Sequence, residues 1–183
     1  MRTLVLGGIR SGKSHWAESL IAQQSSVRYI ATGPAPDGDT DWARRIAEHR
    51  DRRPASWSTV ESVDIAGCLR SDRDSATLVD DLGGWLTAVL DRRGWNGEPI
   101  LSDADDLIAA VDESTAELVM VSPEVGLTVV PATESGRRFA DELGALNQRL
   151  ANCCEQVVLV VAGQPVWIKH HETARESVPG PAR

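Results

Sequence analysis

Residues 4–20 read LVLGGIRSGKSHWAESL. Leu4, Val5 and Leu6 form a short apolar run of the kind that makes a buried strand, and Trp16, Ala17, Leu20 and Ile21 recur at helical spacing. Between them, Gly7, Gly12, Lys13 and Ser14 fit G-x-x-x-x-G-K-[ST], so the order is strand, glycine loop, helix. That is the context a phosphate-binding P-loop requires. Glycines let successive backbone N–H groups turn inward around phosphate oxygens, in conformations a Cβ obstructs. Lys13 then reaches the β and γ phosphates, the Ser14 hydroxyl binds Mg2+, and the helix N-terminus adds partial positive charge. Gly7, Gly8, Arg10, Ser11, Gly12, Lys13 and Ser14 are the candidate nucleotide ligands, with Lys13 also in a catalytic role. Arg10 has two open readings, a second phosphate contact or a solvated side chain.

Working outward, 183 residues suffice for one sizeable core and are short for two, so a single domain is expected. The composition, 42% hydrophobic and 25% charged, is that of an ordinary globular chain. A net charge of −8 argues against a general nucleic-acid surface, which needs a broad field of Lys and Arg. A polyanionic ligand must therefore be gripped locally, as the glycine loop does. No apolar stretch approaches the roughly 20 residues of a membrane span, and the N-terminus lacks the apolar core of a signal peptide. A cytoplasmic protein is expected. Cys68, Cys153 and Cys154 lack C-x-x-C spacing and read as reduced core or helix-face residues.

The rest of the chain alternates as an α/β domain should. Strands are predicted at Val27–Ala31, Trp57–Val60, Ala76–Val79, Leu118–Val121 and Val157–Val161. Helices are predicted at Asp41–Arg50, Leu82–Leu90, Leu107–Val111 and Phe139–Leu150. The expected fold is a single P-loop NTPase domain over residues 1–171, with a mostly parallel, RecA-like central sheet flanked by helices. Residues 172–183, with Pro179 and Pro181, read as a disordered tail.

A nucleotide site also needs an acidic residue at the end of an apolar strand near the P-loop, to hold Mg2+. The stretch ATLVDDLGGWL, residues 76–86, supplies Asp80 and Asp81 at such a strand end, where open α/β sheets bind their ligands. One of the two can instead cap the following helix. Asp80 is favoured for the metal by its place in the strand.

A P-loop does not name a substrate. Four stretches taken together do more, the P-loop GGIRSGKS (7–14) with EHRDRRPASWSTVE (48–61), VSPEVGLTVVP (121–131), and GRRFADELGALNQRLA through VVLVVAGQPVWIK (136–169). Together they resemble the bifunctional adenosylcobinamide kinase/adenosylcobinamide-phosphate guanylyltransferase family of cobalamin biosynthesis, over nearly the whole chain. The resemblance implies two reactions. A nucleoside triphosphate, ATP or GTP, phosphorylates the aminopropanol arm of adenosylcobinamide; GTP then gives GMP to that phosphate through a guanylylated histidine. It also implies a homotrimer. The family stretch H-H-[KR]-x-x-R-P-x-x-W-x-T-x-E places its second His on His49, and Arg50, Arg53, Pro54, Trp57, Thr59 and Glu61 match the rest. His49 is thus the implied nucleophile, with Arg53 and Glu61 at the nucleotide. A neutral imidazole suits the task near pH 7.

The chain departs from the family pattern in places. Glu48 replaces the first His, and a carboxylate there favours the imidazolium form of its neighbour. Pro123 stands where Asn is usual, Asp81 where Cys is common, and Gly83-Gly84 is expected to loosen the start of a helix. These departures fall on the guanylyl-transfer half and the substrate loop. Two narrower readings therefore stand beside the bifunctional one: a plain small-molecule P-loop kinase, and a GTP-binding module without turnover.

Overall fold

The computed structural model describes residues 1–33, 53–95 and 99–170. β1 (Arg2–Gly7) and α1 (Lys13–Ile21) bracket the glycine loop. They are followed by β2 (Arg28–Ala31), β3 (Ser58–Glu61), α2 (Ile65–Ser71), β4 (Thr77–Asp80) and α3 (Leu82–Arg92). The remainder is α4 (Leu101–Glu113), β5 (Leu118–Pro123), α5 (Glu134–Cys153), β6 (Gln156–Val161) and β7 (Gln164–Lys169). The helix expected at Asp41–Arg50 and the tail from Glu172 lie outside the described residues.

The strands form one sheet in the order β3-β2-β4-β5-β1-β6-β7. Neighbours run parallel except β6 and β7, which form an antiparallel hairpin. β5 thus lies between the P-loop strand β1 and the acidic strand β4, the RecA-like arrangement expected. Alternate side chains on each strand feed two cores, as the two-residue period of a strand dictates. On one face Val5, Tyr29, Leu78, Val121 and Val158 pack with Ala17 and Ile21 of α1. On the other, Leu4, Leu6, Ile30, Val79 and Met120 pack with Leu86, Leu107 and Leu146 of α3, α4 and α5. The result is three layers, with the ends of the parallel strands gathered along one edge.

Two elements go beyond the sequence expectation. α2 is a seven-residue helix begun by Asp64, whose carboxylate accepts from Gly67 N at 2.9 Å. β7 carries Pro165, which a central strand would not tolerate; at the sheet edge its missing N–H costs nothing. α5 also starts earlier than its apolar spacing suggests, because Thr133 caps a polar first turn by accepting from Gly136 N at 3.1 Å.

The expectation of a loosened α3 is corrected. The helix begins at Leu82, with Asp81 Oδ1 accepting from Gly84 N at 2.8 Å. The glycines serve close approach: a Cβ on Gly83 would lie 2.9 Å from Pro123 Cγ, and one on Gly84 2.9 Å from Thr32 Oγ1. Both would collide with groups held in place by the sheet.

Candidate active site

β1 ends at Gly7 because the chain must turn sharply there. A Cβ on Gly7 would meet Ser11 Oγ at 2.4 Å and the Val160 carbonyl oxygen at 2.9 Å. The loop closes with Ser11 N donating to the Gly8 carbonyl at 3.3 Å, and Arg10 adopts φ +56°. Gly12, at φ +90°, delivers the chain into α1 without a side-chain cap of its own, and Lys13 N donates to Ser11 Oγ at 3.3 Å; the positive end of the helix dipole there favours an anion. Lys13 folds back over this loop, its Nζ donating to the Gly8 carbonyl at 3.4 Å. The candidate phosphate ligands from Gly7 to Ser14 thus form one continuous cradle.

The cradle leans on the β6–β7 hairpin. Its turn passes through Ala162 and Gly163 at φ +51° and +78°, and Gly163 N donates to the Ser11 carbonyl at 2.7 Å. A Cβ on Gly12 would stand 3.2 Å from Gly163 Cα. One turn further along α1, Trp16 meets Trp167 of β7 edge to face, with ring centroids 5.6 Å apart.

Opposite the cradle, β4 delivers its two aspartates to different tasks. Ser14 Oγ donates to Asp80 Oδ1 at 3.2 Å, and Tyr29 Oη donates to Asp80 Oδ2 at 2.6 Å. Asp81 caps α3, and its backbone carbonyl accepts from Thr32 Oγ1. Burial, together with the neighbouring charge of Asp80, pushes the Asp81 carboxyl above its ordinary range, against the pull of Gly84 N–H and Lys13. A capping group so placed is poorly suited to a cation.

The hydroxyl of Ser14 and the carboxylate of Asp80 are hard oxygen donors on separate elements beside the phosphate cradle. Among the described residues no group of three or more His, Cys, Asp or Glu forms a cage of its own. A hydroxyl and one carboxylate, completed by phosphate oxygens and water, is a donor set that suits Mg2+.

Strand register aligns further candidates along the same edge. Glu61 pairs with Ala31, and Ala31 pairs with Asp80, so the ends of β3, β2 and β4 stand in a row. Arg53 reaches that row from the side, with its Cζ 3.3 Å from the centroid of the Tyr29 ring and Nη1 donating to Thr59 Oγ1 at 3.1 Å. His49 lies outside the described residues. Trp57 lies half-buried against the core on the α1 face. Arg137 donates to the carbonyls of Pro131 and Ala132, at 3.2 and 2.8 Å, and so braces the loop before α5. Sequence reasoning missed Tyr29 and Thr32. Both sit in or beside an apolar strand and are identified only by what β4 brings next to them.

Strand order, P-loop and acidic strand end define a P-loop nucleotide-binding domain of RecA-like topology. An ATPase from the type III secretion system of pathogenic bacteria shares this fold, with a TM-score of 0.51 at 12% identity over 86% of this chain and 50% of its own. Residues 3–168 match the CobU family, cobinamide kinase / cobinamide phosphate guanyltransferase, and the chain belongs to that family. It is 45% identical to the bifunctional adenosylcobalamin biosynthesis protein CobP of Pseudomonas aeruginosa, over 92% of this chain and 98% of that protein. It is 39% identical to the corresponding CobU protein of Salmonella typhimurium, over 92% of this chain and all of that protein. Among the described residues, no helix is long and apolar enough to cross a membrane.

Proposed function

We propose that this chain carries out both reactions of its family on one phosphate cradle. In the first, the γ-phosphoryl group of ATP or GTP passes to the hydroxyl of the aminopropanol arm of adenosylcobinamide, leaving the nucleoside diphosphate. In the second, an imidazole nitrogen of His49 attacks the α-phosphorus of GTP, the bond to the β-phosphate oxygen breaks, and pyrophosphate leaves. The phosphate of adenosylcobinamide phosphate then attacks the same phosphorus, the P–N bond breaks, and adenosylcobinamide-GDP forms while the histidine is restored. Splitting the transfer replaces one high barrier with two lower ones.

The observation that carries this reading is the meeting of the P-loop with Asp80 across the carboxyl edge of the sheet, where Ser14 donates to that carboxylate. The backbone from Gly7 to Ser14 holds the phosphates, Arg10 and Lys13 supply charge, and Arg53 and Glu61 approach from β3. Ser14 and Asp80 hold Mg2+, which when bound neutralises charge on the phosphate oxygens. Of the stretch 48–61, the described part from Arg53 onward reaches this edge through β3, whose last residue, Glu61, is in register with Ala31.

A homotrimer belongs to this reading as well. It is supported by the edge strand β7, which leaves Val166, Trp167 and Ile168 exposed, a pattern that a monomer seldom presents at an unpaired sheet edge. A cytoplasmic setting fits the three free cysteines.

The test is incubation with GTP labelled at the α-phosphate. An acid-labile, base-stable protein adduct that is absent from His49→Ala is expected. Labelling that persists in that variant refutes the role of His49. Phosphate transfer to cobinamide without any adduct identifies a plain kinase, and nucleotide binding with neither activity identifies a binding module.

A further inference from the structure

Tyr29 lies on β2, two residues before Ala31, which is in register with Asp80 on β4. Its ring is buried among Leu78, Ile21 and Val121 on the α1 face. A phenylalanine would fill that space equally well, so packing does not account for the hydroxyl. Among the described residues the hydroxyl donates to Asp80 Oδ2 at 2.6 Å, while Oδ1 of the same carboxylate faces Ser14 at 3.2 Å. Over the ring lies the Arg53 guanidinium, 3.3 Å from the centroid and anchored to Thr59.

We propose that Tyr29 is a positioning residue for the metal-binding carboxylate: by donating to Oδ2 it holds Asp80 in the one rotamer that presents Oδ1 to Ser14 and to the cation. A carboxylate at a strand end can otherwise rotate about two side-chain bonds, and a rotated Asp80 must be reordered each time the metal binds. Tyr29 removes that reordering in advance. Arg53, stacked as a cation on the ring face, fixes the ring plane. This role rests on the assignment of Ser14 and Asp80 to Mg2+, and on no step at His49.

Tyr29 is the single tyrosine of the chain. Incorporating 3-fluorotyrosine therefore places one fluorine beside Asp80. The expected result is one 19F resonance that shifts when Mg2+ is added to protein loaded with a non-hydrolysable GTP analogue, and stays put when the analogue is added in EDTA. In Tyr29→Phe, the Mn2+ concentration that half-saturates the analogue complex, followed by EPR, is expected to rise about tenfold. Analogue affinity in EDTA should stay within about twofold of wild type, as removing one hydroxyl outside the phosphate cradle predicts.

An unchanged metal midpoint in Tyr29→Phe overturns the proposal, and so does an equal loss of analogue affinity in EDTA, which marks general packing. If the variant does not fold, a 19F resonance indifferent to Mg2+ in the otherwise wild-type chain overturns it alone. A wild-type chain that binds the analogue equally well without Mg2+ overturns the metal assignment along with the proposal. Failure to form a histidine adduct leaves every arm of this test in place.

Discussion

Ser14 and Asp80 meet across 66 residues of chain, the serine hydroxyl donating to the aspartate at 3.2 Å. Neither makes a metal site alone. Ser14→Ala and Asp80→Ala are each expected to lower turnover on the order of 100-fold, as loss of a charge-stabilising group does. Asp81→Ala should act on α3 instead. It removes a cap and costs about 1 kcal/mol of stability, with a much smaller effect on turnover. Steady-state kinetics beside thermal melts of the three variants checks this division. Equal losses of turnover for Asp80 and Asp81 would refute it.

The hairpin and the P-loop should be separable by a pair of glycine substitutions. Gly12 and Gly163 both sit at positive φ, but a Cβ on Gly12 meets Gly163 Cα at 3.2 Å, whereas one on Gly163 meets nothing within 4 Å. Gly163→Ala is expected to cost about 1 kcal/mol, from the backbone conformation alone. Gly12→Ala should cost about 2 kcal/mol or more, since it adds crowding against the hairpin. It should also weaken nucleotide binding, because the loop must move to relieve the contact. Denaturant melts with and without a GTP analogue measure both effects.

Acid stability should report on the start of β1. Burial raises the Glu155 carboxyl, but hydrogen bonds and charge from Arg2 overcome this and hold it at about 2, against an ordinary 4.5. The Arg2–Glu155 contact is 2.6 Å, and Arg2 also pairs with Asp112 at 2.6 Å. A group depressed on folding contributes its stability above the unfolded value and loses it as pH falls through the folded one. The Glu155 side chain is 32% exposed, so solvent screening limits the gain. Glu155→Gln is therefore expected to cost about 1 kcal/mol at pH 7. The gap to wild type should close between about pH 4.5 and 2. Urea melts across that window check the sign, and a gap that widens in acid would refute it.

Thiol chemistry should distinguish the adjacent cysteines. Cys154 is buried at the end of α5, and burial, with Cys153 beside it, pushes its thiol up to about 12. Cys68 and Cys153 are only partly covered. With a chromogenic disulfide reagent at pH 8, the native protein is expected to leave Cys154 unmodified, and guanidinium should release it. Peptide mapping of the modified chain identifies the site.

The parts of this fold that were legible in the sequence are those whose local chemistry is self-sufficient. The P-loop announces itself because glycines, lysine and serine must follow one another to surround phosphate. β4 and β5 announce themselves because a parallel strand buried on both faces is an apolar run. α2 escaped because it is a single seven-residue stretch with a glycine inside, held by the Asp64 cap. β7 escaped because Pro165 reads as a strand breaker until the sheet edge is known. Within the site, the strand pattern favours Asp80 over Asp81 by position alone, while the structure gives them separate hydrogen-bond partners. Tyr29 carried no signal at all: a lone tyrosine in Arg-Tyr-Ile-Ala reads as core, and its partner is 51 residues away.

The packing of Gly83 on Pro123 makes the two positions interdependent for anyone who substitutes them. With Pro123 in place, any side chain at 83 begins 2.9 Å from the pyrrolidine ring. The ring must therefore be exchanged for something smaller before position 83 is enlarged, and the reverse order passes through a clash. A substitution at 83 made alone reports on the crowding between the two residues, and says little about either one.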